Sequence, residues 1–202
     1  MIVIVGLLYV AVGEWRDGEP TSRTGALCAD KRSSASGVRV DGNRFVSDGK
    51  TWYPRGLNIV RFVAHADVAV DEGGSVAESL DRWNRQECVV MKEFGANVLR
   101  IQVGQPTIDP ASQLYDAGYF AMINQRVREA LDSGFVVSLS LQWEKPESAP
   151  RQSRPDVNSQ QIWQKFATAW GDDTRVIFEL YNEPKGEPTA ENWKVWLRGG
   201  PY

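Results

Sequence analysis

The chain has 202 residues, 42% of them hydrophobic and 24% charged, with a formal net charge of -3. That composition suits a globular domain with a sizeable core and excludes disorder along the whole chain. A pI near 5.3 without any lysine-rich stripe excludes the electrostatic footprint of a nucleic-acid-binding protein.

Met1 to Gly13, MIVIVGLLYVAVG, is a continuous apolar run of secretory h-region length, too short to span a bilayer. It reads as an export signal, which would make the protein secreted. No Lys or Arg precedes the run and no A-x-A site follows it, so a strand or a mis-set start codon stands as the other reading. Residues 14–37 are polar and read as a linker or disordered lead-in, which leaves 38–202 as the folded domain. Cys28 and Cys88 allow one optional bridge at most. Cys88, beside apolar Val89 to Met91 in a helical stretch, reads as a buried inert thiol. The one histidine, His65, excludes a zinc site built on several histidines, and no nucleophile-elbow motif joins it to a serine triad.

From Val38 the sequence VRVDGNRFVSDGKTWYPRGLN alternates apolar and polar residues, with Asp41-Gly42 and Asp48-Gly49 at turn positions, and predicts a β-hairpin. Gly56 to Val60 follows as a first buried strand. Ser75 to Phe94 keeps a helical period through Leu80, Trp83, Val90, Met91 and Phe94, and Gly95 ends it. Asn97 to Val103 is a second strand. Tyr119 to Ser133 is a second amphipathic helix, with Phe120, Ile123, Val127, Ala130 and Leu131 on one face and Gly134 as its stop. Phe135 to Trp143 is a third strand. After a loop with Pro146, Pro150 and Pro155, a helix runs from about Ser159 to Trp170 and closes at Gly171.

Arg175 to Pro184, RVIFELYNEP, is the fourth strand. Its apolar run of Val176, Ile177, Phe178 and Leu180 predicts a strand buried on both faces, as in parallel sheets covered by helices. Gly95, Gly134 and Gly171 each precede a strand and are 39 and 37 positions apart, the spacing of successive βα units. The prediction is an α/β fold of TIM-barrel type, with chemistry at the C-terminal rim of its strands, where Glu183 stands. A closed (β/α)8 barrel takes eight units in about 250 residues. Four units mean either a complete open sheet or an incomplete barrel.

With these strand ends in place, residues 38–202 resemble the N-terminal half of the catalytic barrel of glycoside hydrolase family 5, the cellulase family. The resemblance is carried by the hairpin into Gly56-Leu57-Asn58, by Gly95-Ala96-Asn97-Val98-Leu99-Arg100, and above all by Phe178-Glu179-Leu180-Tyr181-Asn182-Glu183-Pro184. It implies retaining, endo-β-1,4-glucanase-like hydrolysis of a β-glucan or related polysaccharide, without a cofactor. It implies Glu183 as general acid and then general base, and a nucleophilic Glu on a seventh strand. Asn182 would hold the sugar 2-hydroxyl. Arg100 sits where the family orients the nucleophile, and reads equally as an ion-pair partner of Glu179. Asn58, His65, Gln142, Trp143 and Tyr181 are the substrate-binding candidates. Gln142 stands where the family usually has His; its amide bonds a hydroxyl but does not titrate near neutrality. Trp143 reads as a sugar platform or as barrel-top packing.

Glycoside hydrolysis by retention needs two carboxyl groups about 5 Å apart. Glu179 shares a strand face with Glu183, but four residues at about 3.3 Å each separate them by roughly 13 Å. Glu179 therefore reads as a core carboxylate, and Glu144 as a solvent-exposed loop residue. The alternative function is a catalytically inactive half-barrel that binds carbohydrate or associates with itself through open sheet edges. No partner in nucleic acid or membrane is expected. No Gly-rich phosphate loop follows any strand, which argues against a nucleotide-binding open sheet.

Overall fold

The computed structural model describes residues 28, 35–59, 84–112, 114–142, 155–184 and 189–198. Within them lie two sheets. The first is antiparallel: β1 (Arg39–Asp41), β2 (Arg44–Ser47) and β3 (Lys50–Thr51). The second is parallel, in the order β4 (Gly56–Ile59), β5 (Val98–Gly104), β6 (Val136–Gln142) and β7 (Val176–Glu179). The helices are α1 (Arg85–Glu93), α2 (Gln105–Ile108), α3 (Tyr119–Asp132), α4 (Val157–Trp170) and α5 (Ala190–Arg198).

The expected hairpin is a three-stranded meander, because both Asp-Gly pairs turn the chain. Gly42 and Gly49 take φ of 60° and 73°, and Asp48 takes 50°, the left-handed values that tight antiparallel connections require. Val38 N–H donates to Thr174 O at 2.9 Å, just ahead of β7. Ser47 Oγ donates to Gly37 O at 3.0 Å. The meander is thereby tied to the end of the parallel sheet where its strands begin.

The parallel sheet has two unlike faces. Alternation along VLRIQVG and VVSLSLQ sends Leu99, Ile101, Val103, Val137, Leu139 and Leu141 to one side, where all are fully buried. They join Ile123, Val127 and Ala130 of α3 and Ile162 and Phe166 of α4 in one core. Trp163 closes that core with an aromatic contact to Phe178, ring centroids 5.4 Å apart. Asn58, Arg100, Gln102, Ser138, Ser140 and Glu179 belong to the other side. The expected burial by apolar residues on both faces is therefore corrected: one face is polar. β4 and β7 are the edges of this sheet, so the first strand is largely exposed and the fourth only half-buried. The fourth strand also stops at Glu179 rather than running to Pro184.

The βα punctuation follows expectation at all three glycines, each of which ends a helix ahead of a strand, though by different backbone geometry. Gly95 and Gly134 end their helices at φ of 75° and 77°, a conformation glycine adopts without a Cβ clash. Gly171 keeps a right-handed φ of -61°, and its N–H donates to Ala167 O at 2.8 Å. The α4 helix starts with a capping box in which Asp156 and Ser159 bond each other's backbone. In α1, Cys88 is buried and Met91 packs on the core, whereas Val90 and Phe94, expected on the buried face, are exposed. The earlier part of that expected helix lies outside the described residues. Two helices, α2 and α5, were not expected from the sequence.

Cys28 and Cys88 form a disulfide across 60 residues of sequence. The reading of Cys88 as a free inert thiol is corrected: both sulfurs belong to the core cluster, and Cys28 N–H donates to Ser133 Oγ at 3.4 Å. A cross-link of this span restricts the unfolded chain and stabilises the fold by about 2–4 kcal/mol. Urea unfolding of the oxidised and dithiothreitol-reduced protein is expected to show an unfolding free energy lowered by that amount on reduction, with a correspondingly lower midpoint. An unchanged midpoint would show that the bridge contributes nothing.

Candidate active site

Arg100 is the hub of the polar face. Its Nε donates to Glu179 Oε2 at 2.6 Å and its Nη2 to Glu179 Oε1 at 2.5 Å, the bidentate pairing that matches a guanidinium to a carboxylate. Nη2 also donates to Ser140 Oγ at 2.8 Å and Asn182 Oδ1 at 2.9 Å, and Nη1 to Asn58 Oδ1 at 3.1 Å. Strand register makes this reach possible. Asn58 is directly opposite Arg100, Ser140 is directly opposite Glu179, and Ser140 lies two residues along the same face from Ser138, which opposes Arg100. One side chain thus meets residues from all four parallel strands or their ends.

The residues before β5 bring β4 into that register. Asn97 Oδ1 accepts from Arg55 N–H at 2.8 Å and Asn97 Nδ2 donates to Tyr53 O at 2.9 Å. Gly56 leaves the room for this approach, since a Cβ there would overlap Val98 O. The Gly-Ala-Asn stretch thus has a local task at each position: a left-handed stop, a buried methyl and a backbone clip.

At the other end of the sheet, the chain leaving β7 is tied at two points before Glu183. Trp163 Nε1 donates to Leu180 O at 2.9 Å, and Asn182 N–H donates to Leu141 O at 2.8 Å. Glu183 then takes φ of 46°, a left-handed conformation that is uncommon for residues other than glycine and is opposed by a following proline, here Pro184. The extended geometry used to separate Glu179 from Glu183 ends at Glu179, where the strand stops. Glu183 is exposed and Asn182 half-buried.

Gln142 ends β6 opposite Gly104. Its Nε2 is buried and has no hydrogen-bond partner among the described residues, a costly state for a donor unless something outside the protein meets it. Tyr181 is 6% exposed and lies in the core cluster. His65 and Trp143, with Glu144, lie outside the described residues. The structure therefore gathers Asn58, Arg100, Glu179 and Asn182 into one network and sets Gln142 and Glu183 at the strand ends beside it, with Tyr181 packed beneath.

Two features had no part in the sequence reading. Ser140 is a hub ligand, and the alternating serines of VVSLSLQ were the available signal. A part-buried clasp also joins α2 to the start of α4: Gln105 Nε2 donates to Asp156 Oδ1 at 2.8 Å, and Ser159 Oγ donates to Gln105 Oε1 at 2.5 Å. Among the described residues no group of three His, Cys, Asp or Glu could hold a metal ion.

The profile of the cellulase family, glycosyl hydrolase family 5, matches residues 81–199. The chain belongs to glycosyl hydrolase family 5. The span of that match includes Arg100, Gln142, Glu179, Asn182 and Glu183. Among solved structures, the family 5 chain is similar to a lucidum protein, with a TM-score of 0.51 and 21% identity over 73% of this chain and 49% of the other. It is also similar to the catalytic domain of alkaline cellulase K, with a TM-score of 0.47 and 15% identity over 81% of this chain and 43% of the other. An endocellulase from Pyrococcus horikoshii, solved as a variant complex with cellotetraose, gives a TM-score of 0.47 and 17% identity over 79% of this chain and 48% of the other. The chain spans less than half the length of each of these structures. No match is found among curated proteins.

In this family 5 chain the ion pair is half-buried, with side-chain exposures of 26% for Arg100 and 35% for Glu179. Removing one partner leaves the other charge uncompensated, while removing both does not. Arg100→Met is expected to lower stability by about 1–3 kcal/mol, and Arg100→Met with Glu179→Met by less than the sum of the single losses. Denaturant titration of the three variants measures this, and additive losses would show that the pair is not coupled.

Proposed function

We propose that the chain carries the acid/base side of the active site of a retaining endo-β-1,4-glucanase, built as the first units of an incomplete (β/α)8 barrel. The observation that carries this reading is Glu183, held in left-handed backbone at the C-terminal end of the fourth parallel strand, directly after an Asn182 bonded to Arg100. Uncommon backbone conformations cost free energy and cluster at functional sites, and the C-terminal strand ends are where parallel α/β barrels place their chemistry. On this reading the polar sheet face is the barrel interior.

In the proposed reaction Glu183 gives its proton to the glycosidic oxygen as the bond to the anomeric carbon breaks and a second carboxylate forms the new bond to that carbon. Glu183 then takes a proton from the water that hydrolyses the glycosyl-enzyme. Asn182 holds the sugar 2-hydroxyl through both steps. Glu179 is unsuited to the attack because both of its oxygens are bound by Arg100; the attacking carboxylate comes from outside these four strands. Arg100 positions Asn182, and Asn58 and Gln142 bind the glucan, as His65 and Trp143 do on the family resemblance; Tyr181, named with them on that resemblance, is packed in the core beneath the strand ends. Each step uses protein groups and water and calls for no cofactor. Secretion fits the same reading, since a structural disulfide such as Cys28 with Cys88 is at home in an oxidising compartment.

A protein containing this chain in a whole catalytic domain is expected to hydrolyse carboxymethylcellulose, with turnover reduced about 100- to 10,000-fold by Glu183→Gln. Turnover that survives the substitution would remove Glu183 from the acid/base role.

One observation favours a second reading, an inactive half-barrel that associates with itself. β4 and β7 have one unpaired side each among the described residues, and Leu57 in the first and Leu180 just beyond the second are 40% and 54% exposed. Unpaired edges invite strand addition. Size-exclusion chromatography of the 202-residue chain decides between the two: a dimer or larger species without hydrolysis supports association, and a compact active monomer excludes it.

A further inference from the structure

We infer that Glu179 is a positioning residue that, through Arg100, turns the amides of Asn58 and Asn182 so that the site presents nitrogen donors to the sugar. The inference rests on the glucan-binding reading above and adds the polarity of recognition. Arg100 has only donors. Its Nη1 and Nη2 lie 3.1 and 2.9 Å from the two asparagine side chains, so the atom facing it must be the carbonyl oxygen in each. That chemistry assigns amide orientations which could otherwise be exchanged. With Oδ1 taken, each asparagine is left with Nδ2, and neither Nδ2 has a partner among the described residues.

Arg100 imposes this polarity only while its own direction is fixed, and Glu179 fixes it. The carboxylate occupies Nε and one face of Nη2 at 2.6 and 2.5 Å. Nη1 is left for Asn58, and the one remaining N–H of Nη2 is shared between Ser140 Oγ and Asn182 Oδ1. A glutamine at 179 would offer one acceptor and oppose a donor to the guanidinium, so the fork would no longer be held. The ligand class that suits an array of amide donors is one with oxygen acceptors at a defined spacing, such as sugar hydroxyl and ring oxygens. Asn182 therefore donates to the hydroxyl oxygen it holds rather than accepting from it.

The test titrates cellotetraose, a short β-1,4-glucan, into the 202-residue chain and its variants by calorimetry. Asn182→Ala is expected to weaken binding about 10-fold. Asn182→Asp, which keeps an acceptor for Arg100 but presents oxygen outward, is expected to weaken it at least as much. Glu179→Gln is expected to weaken it about 5-fold or more, and the double variant with Asn182→Ala by clearly less than the product of the two single losses. Wild-type affinity in Asn182→Asp, or additive losses in the double variant, would overturn the inference. Asn182→Asp leaves the ion pair intact and remains decisive if Glu179→Gln fails to fold.

A second measurement needs no ligand. The side-chain amide resonances of Asn182 and Asn58, assigned from their loss in Asn→Ala variants, are expected to shift toward those of solvent-exposed amides in Glu179→Gln. Unshifted resonances would overturn the inference even if cellotetraose bound to no variant. Absence of cellotetraose binding together with shifted resonances would instead count against the glucan reading.

Discussion

The ion pair between Arg100 and Glu179 is the constraint on which the polar face depends. Each charge is half-buried and needs the other, since a lone charge in that position would lose hydration without compensation. Because the pairing is bidentate, it fixes a direction as well as a distance. The second and fourth parallel strands are separated by a third, and the pair spans it with Ser140 as an intermediate ligand. The first strand joins through Asn58, so this polar contact holds the strands in mutual register on the face that lacks an apolar core. The backbone ladders set that register, and the side-chain bonds of 2.5–2.9 Å add to it on the polar face.

The two ends of the parallel sheet differ in how their polar groups are satisfied. At the N-terminal end, polar side chains bond protein groups that lie close to them in the fold. Asp173 accepts from Arg175 two residues on, at 2.6 and 2.9 Å, and that guanidinium holds its carboxyl below the usual carboxylate range. Lys92 Nζ donates to Gly134 O at 2.8 Å and sits 3.6 Å over the Phe135 ring, where burial pulls its pKa below that of a free lysine. These contacts join helix ends to strand starts and stabilise the fold. At the C-terminal end, a buried amide nitrogen of Gln142 has no described partner and Glu183 bends into a left-handed conformation. One departure of each kind also lies elsewhere, Arg126 Nε in α3 and Asp48 in the β2–β3 turn, but only at the strand ends do the two kinds stand together among the described residues, as expected where a fold gives up stability for function.

Much of this was legible in the sequence, and the exceptions have particular causes. α3 was placed within a residue because Phe120, Ile123, Val127 and Leu131 repeat at helical spacing over about three turns. The partnership of Arg100 and Glu179 followed from the need of an inward charge for a counter-charge. The apolar run at Val176 to Phe178 misled, because three apolar residues in a row hide the alternation that Ile177 and Glu179 carry on the polar face. The disulfide was not legible, since two cysteines state only that one bridge is allowed and their 60-residue separation gives no distance. The left-handed turn at Glu183 was hidden too. Glu-Pro at a strand end reads as continued extension, and the contacts of the preceding Asn182 with Leu141 and Arg100, far away in sequence, are not visible in it.

Those long-range contacts also explain how an unfavourable backbone persists where a carboxylate must be aimed. A left-handed non-glycine residue costs on the order of 1–3 kcal/mol and relaxes unless its surroundings over-determine it. Asn182 is held by its backbone to β6 and by its side chain to β5, so the residue before Glu183 is fixed at two points. Pro184 fixes its own φ on the other side. With both flanks set, the peptide between them has little freedom, and Glu183 takes the conformation that joins them. The hydrogen bonds of Asn182, about 1 kcal/mol each or more where one partner is charged, are enough to offset that cost. The strain at Glu183 and the Arg100 hub are therefore two parts of one arrangement, in which the sheet's rigidity is transferred through Asn182 to the carboxylate beyond it.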